Sequence, residues 1–136
     1  MGLAGLPTAH VAAGLPDAAA LLARALGPGP FAQVVLFISP EADLAALSLG
    51  LAAEFGEAAV IGCTTAGEIA APGYIEGGIV AVGFPTALFA CAALLVEDLD
   101  QINPEALIGQ MIRMRAGLQR EQPDWWKYTL DLPMAH

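Results

Sequence analysis

Runs of apolar residues, separated by glycine, proline and acidic residues, divide the first half of the chain into alternating helix-like and strand-like segments. Residues 15–26 have Pro16 and Asp17 near their start, continue as an alanine- and leucine-rich run, and are followed by Gly27. This pattern predicts a helix. The five consecutive large apolar residues at 34–38 predict a strand that is buried on both faces.

A second helix is predicted directly after this strand, because Ser39 can cap a helix and Pro40 suits its first position. Gly56 is expected to end this helix. The short apolar segment 58–61 then predicts another buried strand. The order strand, helix, strand indicates a parallel βαβ unit over residues 34–61.

The later part of the chain predicts a hairpin and a last helix. Residues 77–96 carry no charge and are numerous enough to span a bilayer, but the glycines, Pro85 and the acidic flanks favour two strands, 79–82 and 88–96, joined by a turn at 83–85. A helix is predicted from Asn103 onward. The expected fold class is α/β: a mixed, largely parallel sheet with one βαβ unit, a later antiparallel hairpin, and helices packed on the sheet.

Composition predicts one domain. The chain has 136 residues and 57% of them are apolar, enough to fill a single core. We expect a single α/β domain over residues 1–122 and a tryptophan-rich tail over residues 123–136. Trp125 and Trp126 are expected to dock on the domain or on another chain, because clustered aromatic side chains usually find a packing partner.

The charge balance restricts the partners. Five basic and fourteen acidic residues give a net charge of −9, which leaves no basic field to attract nucleic acid. The N-terminal segment lacks the cationic start of a signal peptide, and Cys63 and Cys91 form no CxxC pair, so we expect a cytoplasmic protein with reduced thiols. Expected partners are small molecules or proteins, with no membrane contact.

The segment between the strands predicted at 58–61 and 79–82 is the candidate site. It follows the carboxyl end of a parallel strand, where open α/β sheets bind ligands, and its small residues allow close approach of the backbone. Thr65 and Glu68 fit a capping box, so a helical turn starting at Thr65 would direct N–H groups and hydroxyls at a small anion such as a carboxylate. The candidate ligand-binding residues are Gly62, Cys63, Thr64, Thr65, Ala66, Gly67 and Glu68.

Two other interpretations of this segment stay open. It could serve only to turn the chain between strands, with Glu68 satisfying one of the N–H groups. Cys63 could act as a nucleophile, but the histidines are His10, in an N-terminal stretch expected to be weakly structured, and His136, the last residue. We therefore expect no catalytic residue, no metal site and no cofactor.

Three stretches together resemble a known family. VVLFISPEADLAAL, AVIGCTTAGEI and GYIEGGIVAVGF are similar to the N-terminal FIST domain of bacterial signal-transduction proteins, over roughly residues 31–117. The resemblance implies a cytoplasmic input domain that recognises small ligands, such as amino acids or related metabolites, and signals to kinases, cyclases or chemotaxis proteins. It also implies a partner in a C-terminal FIST half, which residues 1–136 are not expected to include.

The leading hypothesis is a non-catalytic, ligand-sensing domain whose site is lined by residues 62–69. One alternative is an assembly module that binds a partner chain, or a second copy, through the tryptophan-rich C-terminus. Another, implied by the resemblance, is a haem-based gas sensor.

Overall fold

The computed structural model describes residues 5–56 and 58–124, and the chain divides into two units, one ending at Phe89 and the other beginning at Ala90. The elements of the first unit are β1 (Thr8–Ala12), α1 (Ala18–Leu26), β2 (Phe31–Ile38), α2 (Leu44–Phe55), β3 (Ala59–Thr64), β4 (Glu68–Ala70), β5 (Gly73–Ile75) and β6 (Gly78–Pro85).

The first unit is built on a four-stranded mixed sheet. Its strand order is β1-β6-β2-β3, with β2 and β3 parallel and β6 antiparallel to both of its neighbours. β4 and β5 form a separate antiparallel hairpin. The predicted α/β class, with a mixed sheet and the βαβ unit β2-α2-β3, is therefore confirmed, although within the larger sheet one pairing is parallel and two are antiparallel.

The core of this unit lies between the sheet and its two helices. α1 packs against α2 and β1, and the most deeply buried side chains come from α1, β2 and β6. Those four side chains are Leu22, Val34, Leu36 and Ile79. The predicted burial of β2 on both faces is correct only in part, because Val34, Leu36 and Ile38 are buried on one face, whereas on the other Val35 is half-buried and Phe37 is exposed.

The sequence predicted a weakly structured N-terminal stretch, but the structure has the strand β1 there. It pairs with β6 in an antiparallel register that places Thr8 opposite Val82. Ala9 is buried, Val11 is partly buried, and the residues that alternate with them are exposed. The hydrophobic signal of this strand is weak because Val11 is its only large apolar residue, and the strand is stabilised by its pairing with β6.

α2 begins later than predicted. Ser39 forms a turn instead: its hydroxyl accepts a hydrogen bond from the Glu41 N–H at 3.3 Å, and its carbonyl accepts one from the Ala42 N–H at 3.0 Å. The helix is capped by Asp43, whose Oδ1 accepts from the Ala46 N–H at 3.1 Å. The predicted start at Ser39 and Pro40 was therefore wrong, because a second capping residue follows the turn.

The predicted hairpin over residues 79–96 was also wrong. β6 runs straight through Gly83, which pairs with Val34 of β2. A Cβ at position 83 would lie 2.6 Å from the Phe31 ring, so glycine is needed here for close aromatic packing rather than for a turn. Residues 88–96 form no strand. Within the described chain, the antiparallel hairpin is formed by β4 and β5 instead.

The second unit contains one long helix, α3 (Pro104–Glu121), preceded by a short 3-10 helix, Leu99–Gln101. Asn103 caps α3 by accepting a hydrogen bond from the Ala106 N–H at 3.1 Å, as the predicted start requires. None of the residues of α3 is buried. The predicted tail from Trp125 to His136 lies outside the described residues.

None of the helices in the described chain combines the length and the apolar character that crossing a bilayer requires.

Candidate functional site

The seven predicted site residues fall into two different settings. Gly62, Cys63 and Thr64 are the last three residues of β3, whereas Glu68 begins β4. The predicted helical turn at Thr65 was wrong, because the three residues between these strands form a bend. The Thr65 N–H donates instead to the Ile38 carbonyl at 2.9 Å, which continues the parallel ladder between β2 and β3.

The first setting is an open groove between α2 and β3, which we call the α2–β3 groove. β3 is an edge strand of its sheet, and Gly62, Cys63 and Thr64 are all exposed. They line the groove together with residues of α2, and the groove has a volume of about 600 Å³. Other lining residues are Leu36, Ile38, Leu44, Leu47, Ser48, Leu51, Ala52, Gly56, Ala58, Val60 and Ile61.

The lining of the α2–β3 groove is apolar with a few neutral polar groups. Leu47 and Leu51 form part of the buried core as well as the groove wall, which fixes that wall in place. The polar side chains are those of Ser48, Cys63 and Thr64. Apolar walls with a few polar groups for orientation are typical of small-molecule sites.

The second setting is a closed turn around a buried carboxylate. Glu68 is 2% exposed, and its Oε1 accepts a hydrogen bond from the Thr65 hydroxyl. Its Oε2 has no hydrogen-bond partner among the described residues. Because burying a carboxylate is costly without hydrogen bonds, the Thr65 hydroxyl is an essential partner, and the pair connects the end of β3 to the start of β4.

The same turn is covered on the outside by Tyr74 of β5. A Cβ on Gly67 would overlap the Tyr74 phenol group, so the ring lies directly against the backbone of the turn. Thr65, Ala66, Gly67 and Glu68 are not among the residues that line the α2–β3 groove. The structure therefore brings Gly62, Cys63 and Thr64 to a cavity and turns the other four predicted residues away from it.

The two cysteines differ in environment. The Cys63 thiol is exposed at the α2–β3 groove. Cys91 lies in the second unit and is partly buried, and this burial raises the pKa of its thiol above the ordinary value. Burial disfavours a thiolate because the charged form loses solvation.

His10 lies far from Cys63 within the first unit. It is exposed on β1, opposite Val80, and the strands β6 and β2 separate it from β3. At ordinary strand spacing this is about 14 Å, beyond hydrogen-bond reach of the thiol. His136 lies outside the described residues. Over residues 5–56 and 58–124, no cluster of histidine, cysteine and acidic residues is arranged to hold a metal ion.

A family model for the FIST N domain matches residues 32–130. This chain belongs to the FIST N domain family. The match begins in β2 and includes α2, β3 and the entire segment 62–69, so the resemblance found in the sequence is confirmed. Membership indicates a sensory domain of signal transduction. Searches of curated proteins and of solved structures gave no match.

The α2 wall of the groove was not predicted from the sequence. Leu44, Ser48 and Ala52 lie one helical turn apart along α2 and line the groove. A signal was available, because α2 exposes a large apolar side chain at the groove: Leu44 is 50% exposed. A helix that is apolar beyond its core-facing stripe indicates a second contact surface.

Proposed function

We propose that this FIST N domain is a non-catalytic sensory input domain that binds a small diffusible ligand in the α2–β3 groove. The observation that supports this proposal is the position of Gly62, Cys63 and Thr64 on a mainly apolar groove of about 600 Å³. Small-molecule sites typically have volumes of roughly 300–1,000 Å³ and a similar lining. In this proposal the domain works in the cytoplasm without a cofactor.

A ligand in this groove would contact a helix and an edge strand at the same time. α2 packs against α1, and β3 is hydrogen-bonded to β2 on one side only among the described residues. A ligand transmits a signal only if it binds one arrangement of the protein more tightly than another. Bound between α2 and β3, it would favour one spacing of these elements, which a signalling protein or a C-terminal FIST half would then recognise.

Matched tryptophan substitutions on α2 test where the ligand binds. Ala52 and Ala53 are adjacent and exposed, but only Ala52 lines the groove. A ligand found by thermal-shift screening of metabolites should raise the Tm of the wild-type chain and of Ala53→Trp. It should leave the Tm of Ala52→Trp unchanged, because the indole fills the groove. An equal shift in both variants would remove the groove from the proposal.

Assembly with another chain is a second candidate function, favoured by the edge position of β3. In the described part of the chain, no strand pairs with the outer side of β3. Such an edge presents unpaired N–H and C=O groups that can pair with a strand of another protein or a second copy. Light scattering tests this: a strict monomer at high concentration, also when a separately produced C-terminal FIST half is added, contradicts it.

A further inference from the structure

Among the described residues, the side chains that line the α2–β3 groove carry no charge. Ser48, Cys63 and Thr64 are its polar side chains, and all the others are aliphatic residues or glycines. Arg24 is the only lysine or arginine in the first 89 residues of the sequence, and it lines a different cleft beside Glu54. An anion bound between these walls of the first unit would therefore have no cationic partner there.

Three of the donors that could have replaced a cation are already used. At the N-terminus of α2, Asp43 occupies the Ala46 N–H and adds its own negative charge. At the end of β3, the Thr65 N–H donates to the Ile38 carbonyl at 2.9 Å, and the Thr65 hydroxyl donates to Glu68. None of these three donors is therefore free to bind a carboxylate.

The groove instead offers two things that suit a neutral molecule. Its leucine, isoleucine and valine side chains favour apolar surface. The outer edge of β3 has no partner strand among the described residues, so its backbone groups and the Thr64 hydroxyl can bond a neutral donor or acceptor. A charged group would lose hydration here with no cationic side chain in the described groove lining to offset that loss.

From these observations, and resting on the proposed function, we infer that the α2–β3 groove selects an uncharged, mainly apolar ligand with a single polar end, not a carboxylate. The apolar body lies against α2, and the polar end lies at Cys63 and Thr64. The sequence predicted that Gly62, Cys63 and Thr64 help to bind a small anion, whereas the groove that they line suits a neutral molecule.

Two fluorescent probes with the same ring skeleton test the inference on the full chain. N-phenyl-1-naphthylamine is neutral, and 8-anilinonaphthalene-1-sulfonate adds one sulfonate. We expect the neutral probe to bind the wild-type chain at least about tenfold more tightly, the ratio that corresponds to about 1.4 kcal/mol. Ala52→Trp should remove this binding, and Ala53→Trp should keep it, since only position 52 lines the groove.

Adding a positive charge to the groove tests whether the lack of a cationic side chain causes the preference for the neutral probe. Ser48 lines the groove, whereas Ala45 is exposed on the same helix outside it. Ser48→Arg should increase the affinity for the sulfonate probe several-fold, and Ala45→Arg should not. Circular dichroism of each variant establishes that it is folded.

Each other outcome has a distinct meaning. Tighter binding of the sulfonate probe to the wild-type chain, abolished by Ala52→Trp, would overturn the inference and leave the groove as the ligand site. No gain in sulfonate affinity in Ser48→Arg would also overturn it. Equal binding of both probes to Ala52→Trp and Ala53→Trp would overturn both the inference and the placement of the site in the proposed function.

Discussion

Residues 62–64 and residues 65–68 are consecutive in one motif, yet the first three line a groove and the last four form a turn around a buried carboxylate. Gly62, Cys63 and Thr64 are exposed on an edge strand and line the α2–β3 groove. Four residues further on, Glu68 is buried and hydrogen-bonded to Thr65. The change occurs at Thr65, whose N–H makes the bond to Ile38 that continues the parallel ladder beyond β3.

This difference shows that one sequence motif can combine a surface for binding with a connection that maintains the fold. The exposed half depends on α2 for its opposite wall. The closed half depends on hydrogen bonding and on Tyr74, which lies against Gly67. Substitutions in the exposed half should therefore change ligand binding, and loss of the Thr65–Glu68 hydrogen bond in the closed half should change the free energy of unfolding.

The largest expected effect concerns the support beneath the groove. Leu51 is buried in the core and lines the groove, so Leu51→Ala should lower the free energy of unfolding by about 2–4 kcal/mol. Leu49→Ala on the same helix should change it by less than about 0.5 kcal/mol, because Leu49 is 77% exposed. Urea denaturation measures both, and equal losses would show that the groove wall is not part of the core.

Substitution of the adjacent residues Thr64 and Thr65 compares the two halves of the motif by their effect on stability. Thr65→Val removes the hydroxyl that bonds the buried Glu68 carboxylate, which should cost about 1–3 kcal/mol of unfolding free energy. Thr64→Val should cost less than about 0.5 kcal/mol, because the Thr64 side chain is exposed in a strand. Denaturation curves that coincide for the two variants would contradict the closed character of the turn.

Thiol labelling compares the groove with the second unit. At pH 8, Cys63 should react with a disulfide reagent roughly tenfold faster than Cys91, because Cys63 is exposed and burial raises the pKa of the Cys91 thiol. The rate at Cys91 should continue to rise at pH values above the ordinary pKa of a thiol, because burial raises the pKa of this thiol. Saturating N-phenyl-1-naphthylamine should slow labelling of Cys63 alone. Mass spectrometry of labelled peptides gives both rates, and equal protection of the two would count against a groove-bound probe.

The smallest expected effect is that of Gly67→Ala. The added methyl group meets Tyr74, whose side chain is 66% exposed and free to move aside, so unfolding free energy should fall by less than about 1 kcal/mol. Gly83→Ala is the contrasting control: it meets the buried ring of Phe31, and a loss of about 1–3 kcal/mol is expected. A larger loss at position 67 than at position 83 would show that Tyr74 is held rigidly.

Strong local signals made part of the fold predictable. The apolar run of β2 and the glycine that ends α2 were sufficient to predict the βαβ unit. β1 was missed because Val11 is its only large apolar residue, and the strand through Gly83 was missed because the contact with Phe31 joins residues distant in sequence. Each missed feature depends on a partner that the local sequence does not identify.

The same limit applies to the site. The motif located Gly62, Cys63 and Thr64 on the correct segment, because small residues after an apolar strand are a local pattern. The sequence did not reveal that Glu68 turns inward, since its burial depends on packing against other strands. The expected single-domain organisation, the tryptophan-rich tail and the missing C-terminal half stay predictions.

Amide chemical shifts during titration test most directly whether the two halves of the motif differ in function. In a ¹⁵N-labelled full chain titrated with N-phenyl-1-naphthylamine, the largest changes should occur at residues 62–64 and along α2 from Leu44 to Ala52, which line the groove. Ala66 and Gly67 should change little. The largest changes at Ala66 and Gly67, with none along α2, would contradict the division between an exposed binding edge and a closed turn.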